Sequence, residues 1–194
     1  MGIPSLELLV PYLREVMRPI YVRHSCIATA RIVTEVLSRF GVAARPQPVR
    51  VGLVGAGDAA RHFRAIAAMS DEDWEASYQP ATAPGTAGDW SGHLVTVAAE
   101  TVLIDPSVDQ LSRPDLPVHP IYTVIPPGFG QLYRVAKCHD RAGNLLVYNA
   151  TDNDGYLTSP DWSDAELHRP VIEICTLALR SAGFAEQPAA VRCC

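Results

Sequence analysis

Cys26, His93 and Asp105 are of the types that together support nucleophilic catalysis: a thiol, an imidazole to take its proton and a carboxylate to orient the imidazole. Cys26 stands at the head of Ser25-Cys26-Ile27-Ala28-Thr29-Ala30-Arg31-Ile32-Val33-Thr34-Glu35-Val36-Leu37-Ser38-Arg39-Phe40-Gly41. Ile32, Val33, Val36, Leu37 and Phe40 form one apolar helical face, with Ser25 as the expected N-cap and Gly41 as the expected residue after the C-terminus. Free backbone N–H groups and the positive end of the helix dipole favour a thiolate at such a position. A lone cysteine near a helix start is more often inert, so the position needs partners.

The partners lie 67 residues on, in Gly92-His93-Leu94-Val95-Thr96-Val97-Ala98-Ala99-Glu100-Thr101-Val102-Leu103-Ile104-Asp105-Pro106. A turn centred on Ala99 sets His93 opposite Asp105, Val95 opposite Leu103, Val97 opposite Thr101 and Leu94 opposite Ile104. Asp105 then binds one imidazole nitrogen and leaves the other for a thiol. A two-residue turn would shift the register by one and weaken the pairing. The hairpin is apolar on both faces, as expected of a buried central pair. The bland alternative is a buried His–Asp hydrogen bond that only satisfies itself.

Around these elements, Leu6, Leu9, Leu13, Val16 and Met17 predict a helix over 5–17, interrupted or started by Pro11. A strand is expected over 49–54, after Pro46 and Pro48, then a short helix over 59–69 and a helical turn at 70–73. Residues 78–92, rich in Pro, Gly, Ala and Thr, read as a long loop that runs straight into His93. Strands follow over 94–98, 101–105, 121–125, 132–139 and 145–150, the last two joined by a turn at 140–144. A final helix starts near Ser163 or after Pro170 and ends before Gly183, and residues 188–194 read as a flexible tail. The expected fold is α+β, with N-terminal helices and the nucleophile-bearing helix packed on an antiparallel β-sheet, in one domain over 1–194.

Taken together, Cys26, His93 and Asp105-Pro106-Ser107 resemble the transglutaminase-like branch of the papain-like cysteine enzymes, which includes the arylamine N-acetyltransferases. In that branch the Cys opens a helix, the His begins a strand, and the Asp ends the next strand and is commonly followed by Pro. Gly41-Val42-Ala43-Ala44-Arg45-Pro46 is similar to the family's link from helix to strand, and the resemblance covers roughly residues 20–110. Ile27 and Ala28 depart from it, standing where a hydrophobic aromatic residue often follows the Cys.

The resemblance implies a transglutaminase-like fold and acyl transfer through a Cys26 thioester. The donor would be an amide or thioester and the acceptor an amine or water. The backbone N–H of Cys26 would serve as an oxyanion donor, with Tyr21 or Trp90 as side-chain candidates. Trp90, on the loop before His93, and His24, two residues before Cys26, are candidate substrate contacts; a packed surface Trp and a solvated His are the plainer readings. The expected partners are a small or carrier-bound acyl substrate and an amine acceptor. Neither a cofactor nor a metal is expected, and the oligomeric state is left open.

Rival signals exist. Gly55, Gly57 and Ala60 fit the G-x-G-x-x-A form of a dinucleotide fingerprint after a strand, which makes an NAD(P)- or nucleotide-binding protein an alternative. The context argues for a plain glycine loop, because no second parallel strand ending in an acidic residue follows. His93, Asp105, His119 and Asp109 share no spacing that joins them into a metal site. Asp152-Asn153-Asp154-Gly155 opens like a calcium loop but lacks the later glutamate. A module that kept the fold and lost the reaction is the third alternative.

Composition bounds all of these. The 194 residues carry a net charge of −5, with 48% hydrophobic and 19% charged residues. That is too apolar for a disordered chain, and no basic run offers a nucleic-acid footprint. Apolar runs are broken well short of a membrane span, and Met1-Gly2-Ile3-Pro4 lacks the basic flank of a secretory signal, so a cytoplasmic protein is expected. Five cysteines, an odd number without zinc spacing, argue against a disulfide framework; Cys138 and Cys175 read as packing residues and Cys193-Cys194 as part of the tail.

Overall fold

The computed structural model describes Leu13, Glu15 and residues 26–56, 92–112 and 114–183. The expected helices over 5–17 and 59–69, the turn at 70–73, the loop over 78–92 and the tail over 188–194 lie outside these residues, apart from Leu13 and Glu15, both helical, and Gly92.

The chain is α+β, with a helix packed on one antiparallel sheet. The helix is α1, Cys26–Arg39. The strands are β1 (Ala44–Val54), β2 (His93–Ala98), β3 (Val102–Asp105), β4 (Ile121–Val124), β5 (Val135–His139) and β6 (Leu145–Ala150), in the order β4-β3-β2-β1-β6-β5. Every neighbouring pair is antiparallel. A four-residue helix α2 (Pro160–Ser163) and the longer α3 (Arg169–Ser181) complete it, α3 with Pro170 in its first turn. Among the described residues no helix is long and apolar enough to cross a membrane.

The end of α1 follows from Gly41. Its φ of 73° is one that glycine adopts without Cβ strain. It lets Val42 N–H bond Leu37 C=O and Gly41 N–H bond Ser38 C=O, the paired bonds that close a helix C-terminus. Ile32, Val33, Val36 and Leu37 are fully buried with Ala98, Val102 and Ile104 of the hairpin and Val171, Ile172, Cys175 and Leu179 of α3. Each such side chain on α1 is worth about 1.5–3 kcal/mol over leaving it in water.

Strand β1 starts at Ala44, earlier than the expected Val49, and runs through Pro46 and Pro48. Its first half pairs with β2 and its second half with β6, the change falling at Val49. Pro48 C=O accepts from Thr151 N–H beyond the end of β6, so Pro48, and Pro46 two residues back, face the side where no β6 ladder needs their missing N–H. Strand β5 begins at Val135 and not at Leu132.

The β2–β3 register also differs from expectation. Val97 pairs with Leu103 and Ala98 with Val102, so Asp105 falls opposite Val95 and His93 lies beyond the ladder, instead of His93 opposite Asp105 and Val95 opposite Leu103. Leu94 does not face Ile104, nor Val97 Thr101; Ile104 pairs with Thr96. The cause is the turn, centred on Glu100 and not on Ala99. Ala99 and Glu100 both have positive φ, 47° and 58°, and Thr101 N–H bonds Ala98 C=O. The slip is by two positions, so every side chain keeps its face. As expected, the hairpin lies inside the sheet and not at its edge.

The face away from α1 is lined by Val49, Val51, Val95, Val97, Leu103, Leu146 and Tyr148. Ile121 from one edge strand and Ala136 and Cys138 from the other join this cluster, because the sheet curls nearly into a barrel.

Candidate active site

Cys26 is the first residue of α1 and is partly exposed. His93 is the first residue of β2, and Asp105 is the last of β3. Helix and strand run alongside each other in the same direction. Ala30 packs with Leu94, Thr34 Oγ1 lies 3.4 Å from Thr96 Oγ1, and Leu37 and Ala98 share one cluster. Thr96 Oγ1 also donates to Ala30 C=O at 3.4 Å. The two elements therefore begin at the same end, which brings Cys26 and His93 together.

His93 Nε2 lies 2.8 Å from Asp105 Oδ2. Since the two residues are not directly opposed, the contact runs diagonally across the hairpin, a span that long side chains can bridge. Cys26 is close enough to favour the charged ring, and with Nε2 taken by Asp105, Nδ1 is the nitrogen left to face its sulfur. Burial disfavours the charged ring, but the charge and hydrogen bond of Asp105, followed by the nearby Cys26, outweigh it and push the His93 pKa up to about 10. The imidazole is thus paired with a carboxylate that is 0% exposed.

Asp105 has two further donors that the sequence reading missed. Ser107 Oγ donates to Oδ1 at 3.1 Å, and Tyr148 Oη donates to Oδ2 at 3.0 Å. Ser107 had a visible signal, two residues after Asp105 in a short turn. Tyr148 sits on β6, and strands β2 and β1 lie between it and β3. In a flat sheet that separation is about 14 Å, so only the curl of the sheet closes it. The available clue was one hydroxyl-bearing ring in the apolar strand Leu145-Leu146-Val147-Tyr148, since a buried tyrosine needs a partner for its O–H.

Among the described residues the other two cysteines are Cys138 and Cys175. Burial, then the charges of Asp105 and Asp140, push the Cys138 thiol up to about 12, and burial pushes Cys175 up to about 11. Both are buried and free, as expected of packing residues.

Of the remaining candidates, Tyr21, His24 and Trp90 lie outside the described residues, as do Gly57 and Ala60. Gly55 directly follows β1, but both neighbours of β1 run antiparallel to it, where a dinucleotide fold requires parallel strands. The Ala56 N–H, which a phosphate would need, donates to Asn144 Oδ1 at 3.2 Å. Among the described residues no three His, Cys, Asp or Glu side chains cluster as metal ligands, and His119 and Asp109 do not join His93 and Asp105. Asp152 takes both arms of Arg134, at 2.7 and 2.8 Å, and Asn153 Oδ1 accepts from Gly155 N–H, so this segment is a polar turn.

No family model, no curated protein and no solved structure matches the chain. Any assignment therefore rests on this geometry.

Proposed function

We propose that the chain is a cysteine-dependent acyl-transfer enzyme with a transglutaminase-like fold, acting through a Cys26 thioester. The observation that carries the reading is one imidazole hydrogen-bonded to a buried carboxylate and lying beside a thiol at the first residue of a helix. The order of elements supports it too: Cys opening a helix, His opening a strand, Asp closing the next.

In the proposed reaction the Cys26 thiol passes its proton to His93, and the thiolate attacks the carbonyl carbon of an amide or thioester. A C–S bond forms, the bond to the leaving amine or thiol breaks, and His93 returns the proton to that group. An amine or water then loses a proton to His93 and attacks the thioester, and the Cys26 thiolate departs. Asp105 holds the ring and stabilises the imidazolium, while the Cys26 backbone N–H and the positive end of α1 face the developing oxyanion. The substrates in this reading are a small or carrier-bound acyl donor and an amine or water acceptor, in the cytoplasm.

Intact-mass measurement after incubation with acyl thioesters and amides tests it. A single acyl adduct on Cys26, absent in Cys26→Ala and discharged by amines, is expected. No adduct with any donor, or one that survives Cys26→Ala, would overturn it.

A further inference from the structure

Asp105 Oδ2 is shared. It accepts from His93 Nε2 at 2.8 Å and from Tyr148 Oη at 3.0 Å, while Oδ1 accepts from Ser107 Oγ at 3.1 Å. Tyr148 and Asp105 are both 0% exposed. We propose that Tyr148 is a positioning residue of this site: its hydroxyl fixes the Asp105 carboxylate in the orientation that meets His93 and draws off part of the charge the imidazolium sees. This deepens the acyl-transfer reading and rests on it for its meaning in catalysis.

The argument is one of geometry and charge sharing. A carboxylate has rotational freedom about its side-chain bonds, and a 1 Å displacement of a catalytic partner can cost on the order of a hundredfold in rate. Here two hydroxyls pin the two oxygens separately, Ser107 from the same turn and Tyr148 from across the curled sheet. An O–H pointed at Oδ2 also lowers the electron density offered to His93 Nε2. Tyr148 is suited to this because it stays a donor. Burial, then the charges of Asp105 and Cys138, then its bond to Asp105 and the charge of Asp140, all raise its pKa and keep the phenol protonated. Among the described residues the ionisable groups acting on His93 and Tyr148 are Cys26 from α1, Asp105 from β3, Cys138 from β5 and Asp140 just beyond it.

Tyr148→Phe removes one oxygen and leaves the ring to pack among Val49, Val51 and Leu146. Two readouts on the full chain test the proposal. Iodoacetamide alkylation of Cys26, followed by peptide mapping at pH 7, should slow by roughly tenfold or more, because the His93 ring is less firmly held. The imidazole titration midpoint of His93, followed by NMR, should move upward, because Oδ2 now presents more charge to the ring. A purely structural tyrosine would leave that midpoint where it is. Ser107→Ala is the second variant, in case Tyr148→Phe fails to fold; it should also raise the midpoint, by less, since Oδ1 does not contact the ring.

Unchanged alkylation and an unchanged midpoint in folded Tyr148→Phe would overturn the proposal, as would a downward shift. In the second variant, a midpoint that stays put or falls would do the same. Failure of the acyl-transfer reading looks different: the midpoint moves as expected in Tyr148→Phe while the native chain forms no thioester with any donor.

Discussion

Two hairpins of the same sheet each carry a buried aspartate with several donors, and they use it in opposite ways. Asp140, at the turn between β5 and β6, accepts from the backbone N–H groups of His119, Ala142 and Asn144 and from Asn144 Nδ2, all at 2.9–3.0 Å. Asn144 passes the connection on to Pro117 C=O and Ala56 N–H. Burial would raise the Asp140 pKa, but these donors outweigh it and hold the carboxyl below its usual range. Asp105, at the end of β3, accepts among the described residues from side chains alone: two hydroxyls and one imidazole that lies beside a thiol. Fixed amides make a staple. A titratable donor makes a carboxylate that can act on another group.

The comparison is broken most directly by neutralising each aspartate in turn. Asp105→Asn should cut Cys26 acylation by on the order of 10³–10⁴, because the amide presents a donor to Nε2 and imposes the wrong imidazole tautomer. Asp140→Ala should leave the acylation rate of the folded protein nearly unchanged, yet cost about 2–3 kcal/mol of stability by stranding three backbone N–H groups. Single-turnover acylation and urea denaturation of both variants check this. Equal losses of rate in the two would erase the distinction.

That contrast also shows where sequence patterning reached and where it stopped. Helix α1 was legible to its last turn, since the apolar period and Gly41 are local signals that tertiary packing did not override. The β2–β3 hairpin and the meeting of His93 with Asp105 were legible as well, although the register was not. Neither Ala99 nor Glu100 is a residue that announces two successive positive φ angles, and the slip escaped harm only because it was even. Strand β1 was truncated on paper by Pro46 and Pro48, whose tolerance depends on where β6 begins to pair. Tyr148 was out of reach for a related reason. Its contact with Asp105 depends on the curl of four strands, which no alternation of residues encodes.

A second test uses pH, where His93 and Asp140 have opposite signatures. His93 is raised from 6.5 to about 10, so its contribution to stability is complete below pH 6.5 and is lost as pH climbs through about 10. Asp140 is lowered from 3.8, so its contribution is complete above that pH and is lost as pH falls through its lower folded value. Urea midpoints between pH 2 and 10 should therefore fall on both sides. His93→Gln should flatten the alkaline limb alone, and Asp140→Asn the acid limb alone. An alkaline limb that persists in His93→Gln would show that the imidazolium–carboxylate pair is not what holds that end of the sheet.

The smallest effect concerns the turns themselves. The β5–β6 turn puts a glycine, Gly143, at its position of positive φ, 82°. The turn that sets the register of the candidate site uses Ala99 and Glu100 instead, and Arg45 braces it by donating to both Glu100 oxygens and to Phe129 C=O. An alanine in the left-handed region costs about 1 kcal/mol more than a residue suited to it. Ala99→Asn should therefore stabilise the protein by roughly 0.5–1 kcal/mol, since asparagine tolerates that region and leaves the Arg45 brace in place. Because the register is unchanged, the His93 titration midpoint should stay where it is. A stabilised variant in which that midpoint moves would mean that strain in the turn is transmitted along β2 and β3 to the site, and that this hairpin, unlike its stapled counterpart, is tuned from both ends.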